Sequence, residues 1–338
     1  MIGGASAPEP SRTLAILFGA SRWPKFPGLD SEQAAPAYAA AASSFRSYLL
    51  DPEGLALPQA NLLDLFDSKA GVVEQDTMIR EFIERKNNET ATIQDLIVMY
   101  VGHGSTVQPN KFIFVLGSTT RDQRELTAYR SESLGKTLKE KAPVVRKWIF
   151  LDCCVAQAAY GDFQPGSEPA QVLENDALIS FPPSGTAFYA ACSSDDFAYS
   201  DPAAGSRMFT AALTDVLRKG APNLSERLTL SEVALMVRDE IQKRHGPDMV
   251  APYIGDPDQR KGELSVLPFF PNPARRQQSV DVRLESLKRD VASLEVKLTA
   301  RIGKIEGQLG AQTTWRDSVE QRLITQSPQD SRDRKSVE

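Results

Sequence analysis

The chain has 338 residues, of which 41% are hydrophobic and 25% charged, values that are typical of a soluble protein with one large domain and an appendage, or with two domains. Its net charge of −5 hides an acidic body, because residues 274–338 hold 13 Lys and Arg against 10 Asp and Glu; this argues against nucleic acid as the main partner. Three cysteines exclude a disulfide framework, the N-terminal stretch MIGGASAPEPSRT lacks the apolar core of a secretory signal, and no apolar run is long enough for a membrane helix; we therefore expect a cytoplasmic protein without a membrane partner.

The body of the chain alternates between strand and helix patterns. Continuous apolar runs predict buried strands, and apolar residues three or four apart predict helices. In chain order, we predict a strand at 13–19, a helix at 31–50, a strand at 60–66, a helix at 75–86, strands at 95–101 and 111–116, a helix at 131–141, strands at 147–152 and 186–192, helices at 207–220 and 231–246 and a last strand at 263–270. This alternation indicates a three-layer α/β/α sandwich with a mostly parallel central sheet.

The C-terminal part follows a different pattern. A flexible N-terminus (1–12) and the body (13–270) are followed by a predicted linker at 271–279, a coiled coil at 280–325 and a disordered tail at 326–338. Apolar residues in the coiled coil keep a three-four spacing, with one extra residue after Leu298. We expect self-association or docking on a partner protein, with packing against the body as the alternative.

Two of the predicted strands end in residues with catalytic chemistry. The strand at 95–101 runs into Gly-His-Gly around His103, and the strand at 147–152 runs into Cys153 and Cys154. The carboxyl ends of parallel strands frame the ligand crevice, so we expect these residues at one edge of the sheet. An imidazole near a thiol makes it a nucleophile. Taken singly, a strand-end cysteine is usually a small buried apolar residue.

The motifs resemble those of caspase-like peptidases, most closely the prokaryotic caspase homologues and metacaspases. The resemblance spans residues 13–270 and rests on AILFGASRWPKFPGLD, YVGHGS, IFLDCC, and AFYAACSSDDFAYSDP followed by RMFTAALTDVL, in family order. It implies a cysteine endopeptidase with Cys154 as nucleophile and His103 as base. The implied oxyanion donors are the backbone N–H groups of Gly104 and Cys154. The implied subdivision is a large-subunit-like part at 13–160, a linker at 161–185 and a small-subunit-like part at 186–270.

The resemblance also implies cleavage after Arg or Lys. Metacaspases carry Asp at the position of Asp152, whereas true caspases carry Gln there and cleave after Asp. A carboxylate in the first substrate pocket, S1, favours a guanidinium or ammonium group. Asp195 and Asp196 are further candidates for this pocket, and a solvated turn is the alternative for both.

The segment between the two halves contains no basic residue between Lys147 and Arg207. A peptidase specific for basic residues would leave this segment intact, whereas an Asp-specific one could cut it at Asp162 or Asp176. We therefore expect activity without linker processing. A second cleavable position is the pair Arg275–Arg276 in the predicted linker to the coiled coil.

The remaining chemistry-bearing residues have structural interpretations. Cys153 is expected to line a buried wall, Cys192 to lie in the core and His245 to cap a helix. No metal ligand spacing is present, so neither a metal nor another cofactor is predicted, and calcium activation stays open.

Two rival functions remain. After Cys154 the chain continues Val-Ala-Gln, where many relatives have His-Ser-Gly or Phe-Ser-Gly. The main rival is therefore a catalytically inactive caspase-like scaffold that assembles through its coiled coil. A different α/β hydrolase or transferase with a cysteine nucleophile is the third hypothesis. The resemblance implies a protein substrate and, by analogy alone, an effector role in bacterial defence or cell suicide.

Overall fold

The computed structural model describes residues 8–89, 93–108, 111–153, 185–191, 200–201, 206–249, 251–259 and 262–325. The chain divides into two compact units, Met1–Arg276 and Gln277–Glu338. No helix among the described residues is both long and apolar enough to cross a membrane.

The described elements alternate largely as the patterns predict. In the first half they are β1 (Thr13–Gly19), α1 (Ala35–Leu50), β2 (Leu62–Phe66), α2 (Val72–Glu89), β3 (Asp95–Val101), β4 (His103–Gln108), β5 (Lys111–Val115), α3 (Arg124–Thr127), β6 (Tyr129–Arg130), α4 (Ser131–Lys141) and β7 (Arg146–Asp152). In the second half they are β8 (Gly185–Ala190), β9 (Ser200–Asp201), β10 (Ser206–Arg207), α5 (Met208–Lys219), β11 (Arg227–Leu228), α6 (Leu230–His245), β12 (Tyr253–Asp258), β13 (Phe270–Pro271) and α7 (Pro273–Thr325).

A six-stranded sheet forms the centre of the first unit, in the order β12-β8-β7-β3-β1-β2. All neighbouring pairs are parallel except β12 with β8. Every residue of β1, β3, β7 and β8 is buried, as expected for parallel strands covered on both faces. The predicted three-layer fold with a mostly parallel sheet is confirmed.

The two faces of the sheet have separate cores, because side chains alternate along each strand. On β1, Ala15 and Leu17 pack with α1, α5 and α6, whereas Leu14, Ile16 and Phe18 pack with α2 and α4. The second face also carries a small antiparallel sheet in the order β4-β5-β6.

The registers of the three central strands bring their carboxyl ends level. Gly19 on β1 pairs with Val101 on β3, and Val101 pairs with Asp152 on β7. A Cβ on Gly19 would lie 1.9 Å from the carbonyl oxygen of Val101, so only glycine allows this close approach. The residues after β1, β3 and β7 therefore start from one edge of the sheet.

A buried ion pair holds the opposite ends of β3 and β7 together. Asp95 and Arg146 are register partners, and the Arg146 Nε donates to Asp95 Oδ1 at 2.7 Å. Trp148 Nε1 donates to the same oxygen at 3.1 Å. Burial raises the pKa of Asp95, and the hydrogen bond from Arg146 opposes this. A register slip would separate these buried charges, so the pair favours the alignment that also sets the carboxyl edge.

Three sequence predictions for elements differ from the structure. The run at 111–116 forms β5 of the small sheet rather than a strand of the central sheet. The predicted last strand at 263–270 contains a short 3-10 helix, Leu264–Val266, and only the start of the two-residue β13. The last central strand is β12, which the apolar pattern missed because its sequence, YIGDPD, lies at the sheet edge and is largely polar.

The C-terminal helix begins earlier than predicted. The predicted linker at 271–279 is helical from Pro273, where α7 starts, and α7 runs without a break to Thr325; the boundary between the two units, after Arg276, lies within this range. The backbone N–H groups in the first turn of a helix have no partner within the helix, and proline lacks this group. Pro273 therefore suits the first position of a helix. The predicted tail at 326–338 lies outside the described residues.

Candidate active site

The side chain of His103 lies in a pocket of aromatic rings. His103 is the first residue of β4, directly after β3 and Gly102. Its ring centroid is 4.4 Å from that of Trp23 and 5.3 Å from that of Tyr38. The Tyr38 hydroxyl lies 3.2 Å from His103 Nε2, and the imidazole tautomer decides which group donates. These contacts fix the orientation of the imidazole.

The backbone around His103 is held by Tyr100, which is buried on the opposite side of the strand from the imidazole pocket. The Tyr100 hydroxyl lies 2.7 Å from the carbonyl oxygen of His103 and 3.0 Å from that of Val115, and it donates to them. A Cβ on Gly102 would lie 2.6 Å from this hydroxyl. The glycine before His103 is therefore required by the close approach of the Tyr100 side chain.

The loop after β1 builds the outer wall of the pocket. Ser21 donates through its N–H and its hydroxyl to the two oxygens of Asp67, at 2.6 and 2.8 Å. Arg22 forms a two-point ion pair with Asp30, which also accepts from the N–H of Trp23. The Arg22 hydrogen bond and then the Trp23 N–H lower the pKa of Asp30 to about 2. These bonds order the loop that carries Trp23 to His103.

The environment keeps the imidazole neutral. Burial is the largest cause that lowers the pKa of His103 from 6.5 to about 4, followed by the positive charge of Arg207; a hydrogen bond with the Leu29 backbone acts in the opposite direction. A neutral imidazole at pH 7 is able to accept a proton from a thiol. A thiolate beside the ring would raise this pKa again, because an opposite charge favours the protonated form.

The structure places Asp152 in a buried ion pair. Asp152 has no exposed surface and Arg207 is 3% exposed. Arg207 Nε donates to Asp152 Oδ1 at 3.1 Å, and Thr210 Oγ1 donates to Oδ2 at 2.5 Å. A substrate cation bound to this carboxylate would compete with Arg207 for it. This geometry weakens the interpretation of Asp152 as a selector of basic residues.

Arg207 links the carboxylate to the histidine pocket. Its guanidinium carbon lies 4.9 Å from the centre of the Tyr38 ring, and its Nη1 is 3.5 Å from the Tyr38 hydroxyl. Asp152, Arg207, Tyr38 and His103 thus form a continuous row of contacts from β7 to β4.

Only some of the predicted site residues lie among the described residues. Asp152 is the last residue of β7, and His103 comes two residues after the end of the neighbouring strand β3. Gly104 lies in β4 and pairs with Phe114 on β5. Cys153, the residue after β7, is fully buried. Cys154, Asp195, Asp196 and Cys192 lie outside the described residues, as do Asp162 and Asp176. His245 is the last residue of α6, and the capping position belongs to Gly246.

The sequence pattern missed Tyr38, Trp23, Arg207 and Thr210. Tyr38 lies in a predicted helix without a motif, and Trp23 lies in the stretch AILFGASRWPKFPGLD, where nothing marked it as a site residue. Only the fold brings both to His103. Arg207 had a signal, since it is the first basic residue after Lys147 and opens a strongly apolar helix. Among the described residues, no group of three or more His, Cys, Asp and Glu side chains is placed to hold a metal ion.

The central sheet is mostly parallel, His103 follows the end of β3, and Cys153 follows the end of β7 at the same level. This arrangement is that of the class of caspase-like folds. The family model of the caspase domain, peptidase C14, matches residues 65–258, which is more than half of the chain. The chain belongs to the caspase family.

The chain is also similar to solved structures at low sequence identity. Caspase-1 from Spodoptera frugiperda is 14% identical, with 80% of this chain and 94% of that chain covered and a TM-score of 0.47. A protein from Geobacter sulfurreducens is 16% identical, with 75% and 99% covered and a TM-score of 0.42. No curated protein sequence matches the chain.

Proposed function

We propose that the protein is a cysteine endopeptidase in which Cys154 is the nucleophile and His103 the base. The observation that carries the proposal is the register of β3 and β7, in which Val101 pairs with Asp152. In the sequence, His103 and Cys154 each follow one of these paired residues by two positions. The paired residues themselves lie on adjacent strands that end level. Membership of the caspase family supports the same assignment.

In this proposal the neutral imidazole of His103 accepts the proton of the Cys154 thiol. The thiolate attacks the carbonyl carbon of the scissile bond, and the protonated imidazole then gives its proton to the leaving amine. The N–H groups of Gly104 and Cys154 stabilise the oxyanion. Water then hydrolyses the thioester and restores the thiol.

Matched cysteine variants test the assignment. We expect Cys154→Ala to lower kcat/KM on fluorogenic peptides at least about a thousandfold, and Cys153→Ala to keep most of the activity. A peptidyl acyloxymethyl ketone should label Cys154, and His103→Gln should block the labelling. Labelling of Cys153 instead, or full activity of Cys154→Ala, would contradict the proposal.

Cleavage after Arg or Lys is a finer proposal about the same enzyme. It is supported by the carboxylate at the end of β7 and by the absence of basic residues between Lys147 and Arg207. It is opposed by the ion pair that Arg207 already forms with Asp152. A panel of peptides with Arg, Lys and Asp before the scissile bond, measured with and without calcium, tests it. A preference for Asp would overturn the basic specificity.

The second candidate is a catalytically inactive scaffold that self-associates through α7, and the exposed apolar residues of α7 support it. An effector role in bacterial defence or cell suicide, in the cytoplasm, rests on the resemblance alone. Expression of the wild type and of Cys154→Ala in cells separates the two candidates. Equal toxicity of both proteins favours the scaffold, whereas loss of toxicity in the variant favours the peptidase.

A further inference from the structure

The helix α7 carries an apolar stripe that is exposed in the described part of the protein. Its members are spaced three and four residues apart, the arrangement of a coiled-coil seam. They are each 46–65% exposed: Val280, Leu284, Leu287, Val291, Leu294, Leu298, Ile302, Ile305 and Leu309. A second helix is required to bury such a stripe.

The residues beside the stripe carry an alternating charge pattern between Val280 and Leu298. With Leu284 and Val291 at heptad position a, and Leu287 at position d, the flanking positions e and g are all charged. The e positions hold Asp281, Lys288 and Glu295, and the g positions hold Arg283, Asp290 and Lys297. Flanking charges of this kind set partner choice and orientation in coiled coils.

A parallel pair of identical helices would bring like charges together. In that arrangement each g residue faces the e residue five positions further along the partner. Arg283 would face Lys288, and Asp290 would face Glu295. Opposite pairs arise only at the start of this segment, at Arg276 with Asp281, and beyond it, after the one-residue shift, at Arg301 with Glu306.

An antiparallel pair of identical helices brings opposite charges together, because g then faces g and e faces e. With the two-fold axis between Ala292 and Ser293, Asp290 faces Lys297 of the second copy. Lys288 likewise faces Glu295, and symmetry repeats both pairs. Within its own helix Lys288 also contacts Glu285 at 2.8 Å. The charges whose antiparallel partners lie within this segment therefore favour the antiparallel arrangement and disfavour the parallel one.

The apolar residues fit the same axis. Val291 meets Leu294 of the second copy, Leu287 meets Leu298, and the outer layers pair Leu284 with Ile302 and Val280 with Ile305. Moving the axis by one heptad, to between residues 285 and 286, also brings opposite charges together. It leaves the stripe beyond Leu298 without a partner, so the first axis buries more apolar surface.

We propose that α7 pairs with α7 of a second copy of this chain as an antiparallel two-stranded coiled coil centred between Ala292 and Ser293. This proposal rests on the self-association proposed above and is independent of peptidase activity. The helix rises about 1.5 Å per residue, so the two Pro273 residues lie at opposite ends of the coil, about 60 Å apart. In a parallel coil they would be neighbours.

A charge reversal separates the two orientations, because its expected effects have opposite signs. In the antiparallel dimer, Lys288→Glu sets two Glu–Glu pairs in place of two Lys–Glu pairs, and we expect the dissociation constant of the full-length protein to rise about tenfold at low salt. Adding Glu295→Lys should restore it. In a parallel dimer Lys288→Glu would face Arg283 and tighten association. Sedimentation equilibrium measures both; tightening, a monomeric wild type or a larger assembly would overturn the proposal.

Cysteine cross-linking tests the alignment directly in the full-length protein, with the wild type as the background for its native thiols. We expect a mixture of Leu287→Cys and Leu298→Cys chains to form a disulfide between the two introduced cysteines, located by peptide mapping. Each variant alone should not link to itself. Efficient self-linking of Leu287→Cys would mean a parallel coil and would overturn the proposal. Peptidase assays on the same samples report separately on the proposed function.

Discussion

Replacing Arg207 by Met removes the cation from a fully buried ion pair and keeps an unbranched apolar side chain in its place. Asp152 then keeps the hydrogen bond from Thr210 Oγ1 but loses the one from Arg207 Nε. Breaking a buried pair from one side costs about 3–5 kcal/mol, because the remaining charge has been taken out of water without compensation. Loss of the guanidinium over the Tyr38 ring adds about 1 kcal/mol.

We therefore expect Arg207→Met to lower the free energy of unfolding by about 4 kcal/mol. Urea unfolding, followed by the fluorescence of the buried Trp23 and Trp148, measures this loss. With a slope of about 3 kcal/mol per molar urea, the midpoint should fall by more than about 1 M. Few single substitutions have so large an effect.

Two controls separate the buried charge from the loss of an arginine as such. Arg218 lies on α5, the helix that directly follows Arg207; it pairs with Asp51 and is 38% exposed, so Arg218→Met should cost about 1 kcal/mol or less. Combining Arg207→Met with Asp152→Asn should recover at least about 2 kcal/mol of the loss, since no charge is left buried. The reasoning fails if Arg207→Met costs no more than Arg218→Met, or if the double variant is less stable than the single one.

Three further predictions follow from the described contacts. His103 in the unfolded chain binds a proton below about pH 6.5, but in the folded protein only near pH 4, so the free energy of unfolding falls as the pH falls through this window. Relative to His103→Gln, the wild type should lose about 3 kcal/mol of this free energy between pH 7 and pH 4. A stability difference between the two proteins that does not change with pH would refute the pKa shift. Tyr38→Phe should lower kcat of the proposed peptidase roughly tenfold with KM unchanged, because Tyr38 contacts the proposed base; an unchanged kcat argues against this positioning role. Thr229 caps α6 through a capping box with Glu232, so Thr229→Ala should cost about 1 kcal/mol in urea unfolding while Thr229→Ser costs a few tenths; equal losses would exclude the cap.

The buried strands illustrate what local sequence predicts well. The runs at 13–19 and 95–101 are apolar at nearly every position, and only a strand covered on both faces buries all of them. Their alternation with amphipathic helices determines the layer order, and right-handed crossovers then leave few ways to assemble the sheet. The motif at His103 was recognisable for the same reason, since it directly follows such a strand.

The edge strand and the ion pairs illustrate what local sequence leaves open. β12 pairs antiparallel with β8 through backbone hydrogen bonds, to which its polar side chains contribute no pattern. The sequence near Asp152 contains no basic partner for its carboxylate, because the partner, Arg207, lies 55 residues further along the chain. A pairing over this distance depends on where β10 and α5 pack, and no local pattern encodes that.

By itself the sequence determined the sandwich, its mostly parallel sheet and the long C-terminal helix, because hydrophobic period and run length are local properties that burial enforces. The tertiary structure alone decided the environment of the candidate site. Tyr38 and Trp23 reach His103 only after the loop following β1 folds over the sheet edge, and burial together with Arg207 then keeps the imidazole neutral. The charge state of a side chain depends on solvent exclusion and on neighbours distant in the chain, and both exist only in the folded protein.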